Sequence, residues 1–203
     1  MNPMKRWLSF LTLALTAWLS GCAGMRVVDS TVLAMANAPA GMTLQGARYR
    51  FERLPSQAAN PEAGLAEQQA EQALATVGLV RDDANAQLSV LVGFQGTQYL
   101  ADPWGSPYPG TYGSIAIGRG APWGSGVGFG MGMRFPPATQ YRREVSLILR
   151  DLTSGQVVYE TRASHDGPWS DSATVFATLF KAALAHFPHP PAGPQRVNIE
   201  IPR

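Results

Sequence analysis

Two amphipathic helix patterns, set among stretches of alternating strand pattern, constrain the fold of this chain more than any other feature. The first follows Asn60-Pro61, a helix cap with proline at the first helical position, and its apolar residues recur at helical spacing as far as residue 78. The second begins at Asp171 or Ser172 and carries a broader apolar stripe. Each stripe needs an apolar partner, which one face of a β-sheet supplies.

Segments in which apolar residues recur with a period of two predict the strands of that sheet. Residues 141–152 and 156–164 form a predicted hairpin across Thr153-Ser154-Gly155, whereas residues 25–35 are either a first strand or part of a tether. The predicted fold is α+β: a two-layer sandwich of a mostly antiparallel sheet with both helices on one face, formed by residues 43–203 as a single domain. Further strands are predicted at residues 44–54, 88–94 and 197–201.

The first 21 residues have the three parts of an export signal. Lys5 and Arg6 precede an apolar run over residues 7–19, and Ser20-Gly21 supplies a small-residue end. A helix needs about 20 apolar residues to span a bilayer, and this run is shorter. The sequence therefore predicts a cleaved signal peptide, with an uncleaved membrane anchor as the alternative.

The end of this signal contains the one cysteine of the chain. Leu19-Ser20-Gly21-Cys22 resembles the bacterial lipobox, and the resemblance implies lipid attachment at Cys22, with residues 22–42 forming the lipidated N-terminus, a tether and a possible first strand. Ala23 stands where the inner-membrane retention signal has Asp, so the expected location is the outer membrane, with the domain facing the periplasm. The alternative is an ordinary signal followed by an incidental thiol.

Charge and cysteine content exclude several classes of protein. Without Lys5 and Arg6 the 16 basic residues of the chain fall to 14, equal to its 14 acidic residues, and no basic run is present. A nucleic-acid-binding domain normally needs such a run to neutralise phosphates, so no nucleic-acid partner is expected. A lone cysteine cannot form an internal disulfide framework.

Three pieces of the sequence together resemble the DUF4136 family of bacterial lipoproteins, whose domain has no known function. They are Ala47 to Phe51 (ARYRF), residues 74–79 with 86–90, and residues 145–159 continuing to Phe187-Pro188. The resemblance covers about residues 43–190. Gln87 and Tyr159 depart from the family pattern, which has Asp and Trp there. The resemblance implies the fold and the location, and it supplies no catalytic residues.

Residues 102–137 are the most unusual part of the sequence, because they contain 10 of the 21 glycines. From Gly126 to Phe135 apolar residues alternate with glycine, interrupted only by Arg134, which is typical of a strand with one bare face. One interpretation is a surface loop or hairpin that folds back onto the domain. Another is a recognition hairpin that contacts an envelope protein, a lipid or a glycan. Its candidate partner-binding residues are Trp104, Tyr108, Tyr112, Trp123, Phe129, Met131, Met133 and Phe135.

A phosphate-binding loop is a third interpretation of this segment. Gly118-Arg119-Gly120 supplies glycines, but Pro122 follows and no helix pattern comes after it to provide an N-terminal dipole. The sequence therefore does not favour this interpretation.

No local constellation of residues predicts catalysis, a metal site or a cofactor. Ser164-His165-Asp166 are consecutive on a predicted strand, where neighbouring side chains point to opposite faces. His186 and His189 lack a third ligand nearby. Asp82-Asp83 follow a helix end, where Asp is favoured for local hydrogen bonds.

The resulting hypothesis is a non-enzymatic binding or structural module, held at the membrane by its N-terminal lipid and contacting an envelope protein or glycan. The alternative is an envelope hydrolase or small-ligand carrier with a cleft between the hairpin and the sheet. A polar pocket that contains His165 with a carboxylate and a hydroxyl would favour the hydrolase.

Overall fold

The computed structural model describes residues 24–101, 112–118, 126–132 and 138–202. The first half of the described chain contains β1 (Met25–Ala36), β2 (Arg48–Glu52), α1 (Pro55–Ala58), α2 (Ala63–Thr76), β3 (Val80–Arg81) and β4 (Leu88–Ala101). The second half contains β5 (Tyr112–Gly118), β6 (Gly126–Gly132), β7 (Ala138–Asp151), β8 (Val157–Gly167), α3 (Ser172–Ala183) and β9 (Gln195–Pro202).

Seven of these strands form one open sheet in the order β3-β2-β4-β7-β8-β1-β9. The pairs from β4 to β9 are antiparallel, but β2 is parallel to both β3 and β4. The sheet is therefore mixed, and the expectation of a mostly antiparallel sheet was wrong. Residues 25–36 form an interior strand of this sheet, because β1 pairs with β8 on one side and β9 on the other.

The parallel pairs have a simple physical origin in the α2 connection. A helix between two strands returns the chain to the end of the sheet from which it left, so the next strand runs in the same direction. After α2, Val80–Arg81 of β3 pairs with Arg48 and Tyr49 of β2. Strand β3 is only two residues long, and no alternating pattern in the sequence marks it.

The core lies on one face of the sheet, here called the buried face. Strand β7 shows the cause, since Val145, Leu147 and Leu149 are buried while their neighbours are half-buried or exposed. The same alternation buries Val28 and Val32 of β1. Burial of a Val or Leu side chain contributes about 1.5–3 kcal/mol, so this face supplies much of the stability.

Helix α2 packs through small residues. Its buried positions are mainly alanines, Ala66, Ala70 and Ala73, together with Leu74. The helix begins at Ala63, slightly later than the sequence predicts, and in the turn before it Asn60 Oδ1 accepts the N–H of Glu62 at 2.9 Å. Gly78, at φ +88°, follows the helix in the left-handed conformation that favours glycine.

Helix α3 buries larger side chains. Val175, Leu179 and Phe180 are buried, and the hydroxyl of Thr161 on β8 donates to the carbonyl of Ala183 at 2.7 Å. This hydrogen bond satisfies a carbonyl at the helix C-terminus, where no intrahelical donor remains. Helix α3 contacts β1, β7 and β8, and it also contacts α2.

Strands β4 and β7 form a long antiparallel ladder that leads into the glycine-rich segment. It runs from the pair Leu88 and Asp151 to the pair Ala101 and Ala138. Within the glycine-rich segment, β5 and β6 form a separate two-stranded antiparallel sheet. The alternating pattern from Gly126 therefore forms a strand at least as far as Gly132.

Candidate functional site

A cleft of about 660 Å³ lies where the two longer helices meet the β4–β7 ladder. Small-molecule sites in proteins usually have volumes of about 300–1,000 Å³, so this cleft has the size of a ligand site. Its lining comes from the first half of α2, the first turns of α3, the middle of β4 and the first half of β7. Apolar side chains such as Leu65, Phe94 and Phe176 lie beside polar ones.

Arg143 is the most unusual residue of this cleft, because it is a charged side chain with only 1% of its surface exposed. Its position on β7 follows from strand alternation, since it lies two residues before Val145 and shares the buried face. Nη2 donates to the carbonyl of Trp169 at 2.7 Å and to the hydroxyl of Ser172 at 3.1 Å. Nε donates to the same hydroxyl at 3.2 Å.

Among the described residues, none accepts a hydrogen bond from the remaining nitrogen of this guanidinium. Nη1 of Arg143 is buried without a hydrogen-bond partner, although it carries two N–H groups. Burial lowers the pKa of Arg143 below its usual value, and the carboxylate of Asp171 opposes that effect. Arginine keeps its charge at neutral pH, so the cleft contains a buried cation with an unused donor.

A second arginine fixes the start of α3 to the sheet. Arg26 on β1 forms a two-pronged ion pair with Asp171, the residue just before the helix, with Nη1 and Oδ1 2.8 Å apart. Its guanidinium carbon lies 5.4 Å from the ring centroid of Trp169, a cation–π distance. The hydrogen bonds from Arg26 lower the pKa of Asp171. Asp171 is thus already neutralised by Arg26.

Both longer helices begin at the cleft. Ser172 and Ala173 of α3 line it, as do Asn60 and Glu62 just before α2. Gln69 of α2 ties the two helices together, because its Nε2 donates to the carbonyl of Ala173 at 3.0 Å. The first N–H groups of a helix lack intrahelical acceptors and form the positive end of its dipole. Two such ends therefore add to the positive potential of Arg143.

The site residues predicted from the sequence are only partly within the described chain. Tyr112 is paired with Gly132 on the β5–β6 ladder, and Phe129 is paired there with Ile115. Met131 lies on the same ladder. Cys22, Trp104, Tyr108, Trp123, Met133 and Phe135 lie outside the described residues.

The Ser164-His165-Asp166 sequence does not converge into one site. His165 lies on the buried face of β8, where its Nδ1 donates to the carbonyl of Asp29 at 2.7 Å. Asp166 lies on the other face and accepts from the hydroxyl of Tyr99 at 3.2 Å. His165 is also absent from the residues described as lining the cleft. The arrangement that would favour a hydrolase is therefore not formed by these three residues.

The other chemical candidates have local structural partners. Asp82 accepts hydrogen bonds from the backbone N–H groups of Ala84 and Asn85, and these hold the turn after β3. The contacts from Asn85 lower the pKa of Asp82. Among the residues that the structure describes, no group of three or more His, Cys, Asp or Glu side chains is placed to hold a metal ion. Nor does any helix in this part of the chain have the length and apolar character needed to span a membrane.

Sequence reasoning missed Arg143, although a signal for it was present. The alternation of Val145, Leu147 and Leu149 continues two residues earlier to Arg143, which predicts an arginine on the buried face. A charged residue at such a position is almost never fully buried without a partner or a function. The partners Trp169 and Ser172 are distant in sequence and could not be identified from the pattern.

Comparison with known proteins identifies a family and a fold. A family model described as a domain of unknown function, DUF4136, matches residues 39–189. No curated protein sequence matches the chain. Among solved structures, a PDZ domain protein from Parabacteroides distasonis is similar with a TM-score of 0.50 and 12% identity, over 87% of this chain and 39% of that one. The chain thus spans well under half of that structure, and the likeness concerns the fold alone.

Two structures of the PelC dodecamer from Paraburkholderia phytofirmans are also similar. Each has a TM-score of 0.41 and covers 77% of this chain and 95% of the other, at 17% and 15% identity.

Proposed function

The chain belongs to the DUF4136 family of domains of unknown function, and residues 39–189 match the family model. Because the family supplies no function, we propose one from the cleft: the protein is a non-enzymatic ligand-binding module. The module is held at the outer membrane by a lipid on Cys22 and faces the periplasm. The observation that carries the binding role is the buried, incompletely hydrogen-bonded Arg143 in a cleft of ligand size.

The lipid anchor is supported by the export signal and by Leu19-Ser20-Gly21-Cys22. Intact-mass analysis and membrane fractionation of the protein beside Cys22→Ala test it. We expect an acylated, membrane-bound protein and an unacylated variant that leaves the membrane. Ala23→Asp is the matched variant for the outer membrane, and it should move the protein to the inner-membrane fraction. Equal behaviour of the protein and Cys22→Ala would refute the anchor and leave Cys22 a free thiol.

The two-layer arrangement is also part of this proposal. Its support is that α2 and α3 contact each other through Gln69 and Ala173, while α2 contacts β4 and α3 contacts β7 and β8. Both helices then cover the buried face, and the opposite face of the sheet stays open. Exposed Met25, Val27 and Leu33 on β1 are consistent with that open face.

A binding role predicts that molecules from the cell occupy the cleft. A photo-activatable phenylalanine at Leu65, which lines the cleft and is 50% exposed, should give light-dependent adducts in intact cells. The matched control is the same amino acid at Leu152, which is exposed in the turn between β7 and β8. Adducts at both positions, or at neither, would argue against a specific site in this cleft.

Small-ligand carriage is the second candidate, and the volume of the cleft favours it. The mass of the Leu65 adduct distinguishes the two roles. An increase of a few hundred daltons would identify a carried small molecule, whereas a protein or glycan adduct would identify a recognition module. The aromatic residues of segment 102–137 remain a predicted contact for such a protein or glycan.

A further inference from the structure

We infer that the cleft binds a soluble organic anion, a carboxylate or phosphate group carried on an apolar body, and that Arg143 receives the anionic oxygen. This inference rests on the proposed function, because it names the class of ligand for the same cleft.

The donor set of Arg143 is the first argument. A guanidinium has five N–H donors, yet the three described contacts of Arg143 involve only Nε and Nη2 and end on Trp169 and Ser172. Nη1 is buried away from solvent, and no residue in the described part of the chain accepts a hydrogen bond from it. A buried charged donor without an acceptor is unfavourable, and an anionic oxygen supplies the missing acceptor with a charge-assisted hydrogen bond.

The electrostatic setting of Arg143 is the second argument. The helix starts of α2 and α3 line the cleft, and such starts favour negative charge. The ionised side chains that line it are Arg142, Arg143 and Glu62, which leaves a positive excess. The nearby carboxylate of Asp171 is held by Arg26 and does not cancel this excess.

The apolar lining indicates what the anionic group is attached to. Leu65, Phe94 and Phe176 line the cleft, and the ring of Tyr141 lies 5.0 Å from the guanidinium carbon of Arg143. An inorganic ion would leave these surfaces in contact with water. A ligand with an aromatic or aliphatic body buries them, so the cleft matches an amphipathic anion better than a bare one.

The test is calorimetric titration of the purified full-length protein with four probes. Phenyl phosphate and benzoate carry the anion and the body, benzyl alcohol carries the body alone, and inorganic phosphate carries the anion alone. We expect the first two to bind and the last two to bind about tenfold more weakly or not at all, as expected for loss of a charged hydrogen bond or of apolar contact.

A pair of variants at Ala173 tests how an added negative charge in the cleft affects anion binding, and it leaves the core residues unchanged. Ala173 is exposed in the first turn of α3 and lines the cleft. Ala173→Glu places a carboxylate where a helix tolerates it well, so the fold is retained, but the added charge opposes an anion. Ala173→Gln has the same shape without the charge. We expect benzoate to bind Ala173→Glu about tenfold more weakly than it binds Ala173→Gln, because the two variants differ only in charge.

Arg143→Met tests the proposed receiving group, with Arg150→Met as its control at the far end of the same strand. We expect loss of benzoate and phenyl phosphate binding in Arg143→Met and unchanged binding in Arg150→Met. Circular dichroism reports whether Arg143→Met folds, and the Ala173 pair decides the question if it does not.

Equal binding of benzyl alcohol and benzoate would overturn the inference, as would equal binding by Ala173→Glu and Ala173→Gln. Such a result leaves membrane fractionation and the Leu65 adducts unaffected, so the anion site and the proposed function fail separately.

Discussion

Tyr159→Phe is expected to stabilise the domain, because the native hydroxyl is buried without a partner. The ring of Tyr159 is fully buried on β8 and packs edge-on against Phe187, with ring centroids 5.0 Å apart. Its hydroxyl has no hydrogen-bond partner within the ranges that the structure describes. Phenylalanine keeps the ring packing and removes the desolvated oxygen. We expect a gain of about 1 kcal/mol at pH 7, since burying an unpaired polar group costs about 1–3 kcal/mol.

The same hydroxyl predicts a pH dependence at the alkaline end. Burial raises the pKa of Tyr159 from its usual value of 10.0 to about 12. The folded state therefore holds this proton more tightly than the unfolded state does, and stability falls as the pH rises from about 10 towards about 12. Two pH units correspond to roughly 3 kcal/mol. Tyr159→Phe lacks this loss, so its advantage over the native protein should widen across that interval.

Urea unfolding followed by circular dichroism measures both effects as differences between two proteins. Near pH 7 the midpoint should rise without a change in slope, and thermal unfolding should shift upwards by about 2–4 °C. Tyr99→Phe is the control, because that side chain is 44% exposed and its hydroxyl donates to Asp166. A loss of stability in Tyr159→Phe, or an advantage that stays constant up to pH 12, would show that the buried hydroxyl is not destabilising.

Two further predictions concern the surroundings of the cleft and of β8. Gly167→Ala should destabilise the protein by about 1–3 kcal/mol in urea unfolding, because the added Cβ would lie 2.6 Å from Nε2 of buried His165. An unchanged midpoint of unfolding would contradict this close approach. The ion pair with Arg26 lowers the pKa of Asp171, so it stabilises the fold above the unfolded pKa of about 4 and is lost as the pH falls below it. Asp171→Asn should therefore be less stable than the native protein at pH 7, and the two unfolding curves should converge on acidification.

The local elements of the fold were accessible from the sequence because each has its own periodicity. The hairpin of β7 and β8, both longer helices and β9 lie close to their predicted positions. The turn after Asp151 has a local cause that sequence can show: the carboxylate of Asp151 accepts the N–H of Ser154 at 2.9 Å, and Gly155 adopts φ +71°. Such contacts span only a few residues.

The directions of the strands and the formation of the cleft depend on contacts between residues that are distant in sequence. Such contacts produce weaker signals in the sequence. Strand β3 has two residues, too few for a periodic signal, yet its pairing contributes to the mixed sheet. The cleft joins α2, β7 and the start of α3, which lie up to about 110 residues apart in the chain. Its key contact, Arg143 with Ser172, spans 29 residues. The sequence pattern within one element identifies which residue is buried, but it does not identify the residues that this residue contacts.

Substitution of Arg143 is expected to separate the stability of this domain from its proposed ligand binding. An arginine buried with incomplete hydrogen bonding pays a desolvation cost, and an apolar residue of similar volume at such a position is often neutral or stabilising. Its two acceptors are not deeply buried, since Ser172 is exposed and Trp169 is half-buried, so water can replace the guanidinium there. Arg143→Met should therefore change the free energy of unfolding by no more than about 1 kcal/mol.

The same substitution should abolish anion binding. Loss of ligand binding without loss of the fold is the result expected for a side chain whose role is in binding. Arg143→Met could instead unfold the protein while Ala173→Glu binds benzoate normally. In that case the guanidinium has a structural role, linking β7 to the start of α3, and its unpaired Nη1 has no part in ligand binding.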